Sequence, residues 1–132
     1  MDNINKKTVE SWLQKAKDDL NWTAANLREK VYYGACFTAH QTVEKALKAF
    51  LISKKKSVAK IHDLSALIEQ CKEVDSEFFP FVAKIIPLTD YYIETRYPDM
   101  GDFMEYSKDK AESAFEVAKE VLEFVKKRIF VI

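Results

Sequence analysis

Glycine and proline are scarce: two and three in 132 residues, where average usage would supply roughly nine and seven. Sandwiches and barrels need many tight turns, so the shortage argues against an all-β fold. No apolar run approaches the length of a membrane span. The opening, Met1 to Asn5 followed by Lys6 and Lys7, has no apolar core segment, so a secretory signal is not expected. Only two cysteines occur, Cys36 and Cys71, without a C-x-x-C pair. They read as buried free thiols of a cytoplasmic protein. An excess of charge is also missing, because 21 Lys and Arg balance 21 Asp and Glu. A protein that coats nucleic acid through its whole surface carries a basic excess, so any nucleic-acid contact here is local.

What is present is a core. The apolar fraction is 48%, and Phe, Tyr and Trp number 9, 6 and 2. The length fits one domain over 1–132. Val9, Leu13, Ala16, Leu20, Ala24 and Leu27 recur at helical steps, predicting a helix from Thr8 as N-cap to Glu29. From Tyr32 to Ser53 two stripes run side by side. Cys36, Phe37, His40, Val43, Leu47, Phe50 and Leu51 form one, and the smaller Ala35, Ala39, Thr42, Ala46 and Ala49 the other. Such a helix sits in the middle of a bundle, with Gln41, Glu44, Lys45 and Lys48 as its remaining strip. Residues 54–60 break the period. Asp63 is placed to cap a short helix carrying Leu64, Leu67, Ile68 and Cys71. Ser76 is the expected cap of a fourth helix running through Phe78, Phe81, Val82, Ile85 and Tyr91 to Tyr92, with Pro80 in its first turn and a kink or break at Pro87. After the breaker-rich loop 97–102, a last helix extends from Glu105 to Arg128. The fold class is all-α: an up-down helical bundle of four long helices plus one short helix.

Chemistry is sparse. His40 and His62 are the only histidines and stand in no metal-ligand spacing. Neither a G-x-S-x-G elbow nor a glycine-rich phosphate loop can be written. No catalytic residue, metal or cofactor is therefore assigned. His40, one turn before Glu44, fits either a packed histidine or a polar group at the mouth of an inter-helix cleft. His62 fits a loop position or a ligand contact, and the lysines of 54–60 a solvated helix end or a phosphate-binding loop. Arg96 is one of three arginines against 18 lysines and lies within Tyr91-Tyr92-Ile93-Glu94-Thr95-Arg96-Tyr97-Pro98-Asp99. A planar guanidinium there suits two-pronged contact with phosphate, or an ion pair with Asp99 or Glu94. Trp12, Trp22, Phe78, Phe79 and the tail Ile129 to Ile132 exceed what one small bundle needs. A homodimer is the expected way to cover them.

The run Ala35-Cys36-Phe37-Thr38-Ala39-His40-Gln41-Thr42-Val43-Glu44-Lys45-Ala46-Leu47-Lys48-Ala49 resembles the second-helix signature of HEPN domains. Trp12-x-x-x-Ala16-x-x-Asp19-Leu20, His62-Asp63-Leu64 and Thr95-Arg96-Tyr97-Pro98-Asp99 fall where that family has similar residues. The resemblance implies an all-α bundle, often homodimeric, that binds a nucleotide or RNA. It also implies work beside a nucleotidyltransferase-like partner in a toxin–antitoxin or related system. The ligand-binding candidates it singles out are Arg96, Tyr97, Asp99, His40, Glu44 and His62. Ribonuclease members of the family carry Arg and His with four to six residues between them. Here the positions that far beyond Arg96 are Gly101, Asp102 and Phe103, and no such pair follows Arg28 or Arg128. The chain thus resembles the branch with an Arg-Tyr-Pro-Asp motif and without the ribonuclease pair. The alternatives are a metal-independent ribonuclease pairing Arg96 with a distant histidine, and a helical dimerisation protein without a ligand.

Overall fold

In the computed structural model the described residues are 2–58, 63–91 and 106–130. Every regular element among them is helical: α1 (Asn3–Arg28), α2 (Tyr32–Ser53), α3 (Leu64–Val74), α4 (Phe81–Ile85) and α5 (Lys108–Phe130), with 3₁₀ turns at Ser76–Phe78 and Ile86–Leu88. The all-α bundle read from the hydrophobic period is the architecture found.

α1 begins earlier than Thr8. Asp2 is its cap and accepts the Asn5 N–H at 2.7 Å, while Thr8 lies inside the helix and donates to the Ile4 carbonyl at 3.1 Å. A carboxylate beside the unpaired first N–H groups makes the stronger start. α1 and α2 both close on a lysine in the left-handed region. Lys30 has φ 62° and Lys55 φ 59°. Around Lys30, its own N–H reaches Leu27 O at 3.1 Å and the Val31 N–H reaches Asn26 O at 2.8 Å. This paired closure usually employs glycine.

The pairs Thr23–Thr38, Asp19–Lys45 and Trp12–Lys48 are nested in sequence, so α1 and α2 run antiparallel. α5 lies along α2 in the same direction. Lys110 acts on Cys36 near their starts, and Lys54 and Arg128 act together on Asp75 at their ends. α5 touches α1 as well, which leaves α2 central.

The fourth helix differs from expectation. Asp75, not Ser76, is the cap, and its carboxylate accepts the Glu77 N–H at 3.0 Å. Between Ser76 and Leu88 the backbone is a turn, the short α4 and another turn. Pro80 and Pro87 have no N–H to give, so each ends a hydrogen-bonded run. Tyr92 lies outside the described residues. α5 starts at Lys108, with Ser107 Oγ accepting the Lys110 N–H at 3.1 Å, and the expected start, Glu105, lies outside them too.

Phe78 belongs to the core rather than to surplus surface. Its ring centroid is 4.6 Å from that of Phe50 and 4.9 Å from that of Phe124. Trp12 packs partly against the core and Ile129 is buried, whereas Trp22, Phe79 and Phe130 are exposed. Val131 and Ile132 lie outside the described residues. No helix among those described is long and apolar enough to cross a membrane.

Candidate functional site

Positions 40, 44 and 48 stand one turn apart on α2, and the fold buries all three: His40, Glu44 and Lys48. Lys48 Nζ is 3.2 Å from Glu44 Oε2 and sits 5.7 Å from the centroid of the Trp12 ring of α1. The ammonium is thus held between a carboxylate and an aromatic face, two contacts that offset its loss of water. His40 Nδ1 lies 3.0 Å from Gln41 Oε1. The tautomer with its proton on that nitrogen makes this contact a hydrogen bond to the amide oxygen.

A second polar seam joins α1 to α2. Asp19 and Lys45 form an ion pair across it. Thr23 donates to Thr38 Oγ1 at 2.7 Å, Thr38 to Gly34 O at 2.9 Å, and Thr42 to Thr38 O at 3.0 Å. Threonine hydroxyls turned onto the preceding turn of their own helix need no water, so the seam stays satisfied while closed.

Of the residues singled out from sequence, the structure brings His40 and Glu44 together on one edge of α2, inside the protein. His40 is 0% exposed. His62, Arg96, Tyr97 and Asp99 lie outside the described residues. Sequence reasoning left Lys48 and Trp12 out of the site. The Glu44-to-Lys48 spacing was a readable signal for an ion pair, but its burial depends on a ring from another helix.

Neither thiol is a nucleophile. Burial pushes Cys36 up to about 12 against the opposing pull of Lys110, and burial pushes Cys71 higher as well. Both are protonated at neutral pH, and Cys71 Sγ donates to Leu47 O at 3.7 Å. Among the described residues no group of His, Cys, Asp and Glu is arranged to hold a metal ion.

Sequence reasoning also missed two adjoining clefts where α1 turns into α2. The first, about 210 Å³, is lined by Trp22, Asn26, Val31, Tyr33, Gly34, Phe37 and Thr38. The second, about 440 Å³, is lined by Lys30, Val31, Tyr32, Tyr33 and Tyr106. Trp22 is 55% and Tyr33 57% exposed. A β-carbon on Gly34 would stand 3.1 Å from the Asn26 carboxamide and from Val31, so this glycine permits the close approach of the two helices that floors the first cleft.

Residues 9–128 match the family model described as HEPN domain. The chain is similar to a Methanocaldococcus jannaschii protein named "Putative toxin MJ1304", with 29% identity covering 93% of this chain and 89% of the relative. Among solved structures, TT1696 from Thermus thermophilus shares 30% identity at a TM-score of 0.78, covering 91% of this chain and 97% of that one. ST0689, described as an archaeal HEPN homologue, shares 26% identity at 0.74, covering 92% and 97%.

Proposed function

The chain belongs to the HEPN domain family, and from that premise we propose that residues 1–132 act as one nucleotide- or RNA-binding module of a toxin–antitoxin-type system. Its ligand is bound rather than cleaved. The observation that carries this reading is the position of His40, 0% exposed and with Nδ1 committed to Gln41. A general base for RNA cleavage has to reach the 2′-hydroxyl directly or through one water, and this imidazole is inside the protein. The absence of an Arg–His pair at the family's ribonuclease spacing points the same way. The relative named as a toxin supports the toxin–antitoxin setting.

In this reading Arg96 and Tyr97, with His62, provide the anion contact of the Arg-Tyr-Pro-Asp branch, and Asp99 accepts a hydrogen bond from a hydroxyl or amino group of the ligand. A nucleotidyltransferase-like protein is the partner. The exposed Phe79, Ile86 and Phe130 are the apolar surface that a homodimer covers in the cytoplasm. Incubation of the purified protein with single-stranded RNA tests the reading, and no cleavage above a buffer control is expected. Cleavage that disappears in His40→Ala or His62→Ala would overturn it. For the anion contact, Arg96→Lys is expected to weaken RNA binding about tenfold, since a hydrogen bond to a charged group is worth about 1.5–3 kcal/mol. Unchanged affinity with a lowered Tm would assign Arg96 to an internal ion pair instead.

A further inference from the structure

The two clefts at the α1–α2 turn share Val31 and Tyr33 and lie next to each other. Three of their features point to one kind of occupant. The first is planar aromatic surface left open to solvent. Trp22 and Tyr33 are each more than half exposed, although large rings are the side chains that gain most from burial. The second is an amide. Asn26 lines the first cleft beside these rings, and its carboxamide makes no hydrogen bond within the described residues. One group therefore offers a donor and an acceptor next to a stacking surface. The third is charge. Lys30 lines the second cleft with Tyr32, Tyr33 and Tyr106, and the exposed turn Arg28-Glu29-Lys30 carries two cations to one anion. Rings that receive flat faces, interleaved with cations that receive a backbone, are the arrangement by which single strands are bound.

We infer that the α1–α2 turn is a docking site for single-stranded nucleic acid, with consecutive bases in the two clefts and a backbone phosphate beside Lys30. The first cleft is small for a drug-sized ligand and suits a single base stacked on Trp22 or Tyr33. A carboxamide pairs in a two-pronged way with the edge of adenine that carries one donor and one acceptor, so Asn26 favours adenine there. Zero net charge is compatible with this, because the site needs local cations only. The inference rests on the reading that the chain handles a nucleotide or RNA.

Fluorescence anisotropy of a labelled oligoadenylate single strand, titrated with the full chain, tests it. Trp22→Ala is expected to weaken binding about tenfold, as loss of one stacked base does, and Trp22→Phe to retain most of the affinity. Asn26→Ala should abolish a preference for oligoadenylate over oligouridylate. Lys30→Gly removes the cation while placing glycine where the backbone is left-handed. It is expected to lower the dependence of log affinity on log salt by about 0.7 without lowering Tm. Adenosine monophosphate, which fills one cleft, should bind more weakly than the oligonucleotide, and equal binding would contradict the two-base arrangement. If the unaltered protein binds the strand and folded Trp22→Ala binds equally well, this inference fails while the functional reading stands. If the unaltered protein binds no strand, both fail. A Trp22→Ala protein that changes from dimer to monomer in sedimentation, with oligonucleotide affinity intact, would assign the patch to a second copy of the chain.

Discussion

At its centre, α2 carries Glu44 and Lys48, buried and paired with each other, and Lys48 lies under the ring of Trp12. At its start, the same helix carries Tyr33, which stands open to solvent beside Trp22 of α1. The centre holds polar groups where apolar ones are normal, and the start exposes rings where polar groups are normal. The first arrangement is closed: carboxylate, ammonium and ring satisfy one another inside the protein. The second is open, with exposed stacking faces and an amide that makes no hydrogen bond within the described residues. Buried polar groups that are already matched serve the fold, and unmatched recognition groups at the surface serve a partner.

Breaking the centre should have the largest effect on stability. Glu44→Ala leaves the Lys48 ammonium buried without its carboxylate, and a loss of about 3 kcal/mol or more is expected in urea unfolding. Replacing both, Glu44→Leu with Lys48→Met, should recover most of that loss, because a matched apolar pair avoids the desolvation cost. A double variant as unstable as the single one would show that the pair contributes more than mutual neutralisation.

The opposite pattern is expected at the start of α2. Trp22→Ala and Tyr33→Ala should change stability by no more than about 0.5 kcal/mol, as exposed positions do. A loss comparable to that of Glu44→Ala would mean that the rings are part of the packed fold.

The far end of the bundle lies between these cases. Arg128 Nε donates to Asp75 Oδ2 at 2.7 Å, joining α5 to the turn after α3. Burial pushes the Asp75 carboxyl up. The hydrogen bonds from Arg128 and the Glu77 N–H, with the charges of Arg128 and Lys54, outweigh it and hold the group below its ordinary value. A depressed folded value means that the stabilisation is present above the ordinary carboxylate range, near pH 4, and is lost as pH falls through the lower value. Wild-type Tm should therefore fall on acidification below about pH 4. Asp75→Asn should show a lower Tm at neutral pH and a smaller acid-induced fall. The smallest effect is expected at the entrance to α1. Asp2→Ala should cost roughly 0.5 kcal/mol and Thr8→Ala close to nothing, which thermal melts of the two variants would compare.

The difference between closed and open regions also separates what was legible in the sequence from what was not. The bounds of α2, Tyr32–Ser53, follow from its apolar period, and α3 follows from Asp63 and the Leu64, Leu67, Ile68, Cys71 face. Local signals were sufficient there because the whole apolar pattern lies within one chain segment, and α3 has its cap, Asp63, beside it. They failed where two candidates compete locally, as Asp2 against Thr8 and Asp75 against Ser76, and the carboxylate prevailed in both. Phe78 looked like surplus apolar surface because Phe50 and Phe124, its partners, are distant in sequence. His40 and Glu44 were legible as neighbours, but their enclosure was not, since burial is decided by other helices. The Trp22 excess was visible as an unmatched ring. The cleft it forms with Tyr33 required the α1–α2 turn, which sets the two side by side.

The central claim is that base recognition resides at the open start of α2 and stability at its closed centre. The most direct test measures oligoadenylate affinity and Tm for Trp22→Ala on the same protein preparation. The account predicts affinity about tenfold lower with Tm unchanged. Unchanged affinity with Tm lowered would contradict it.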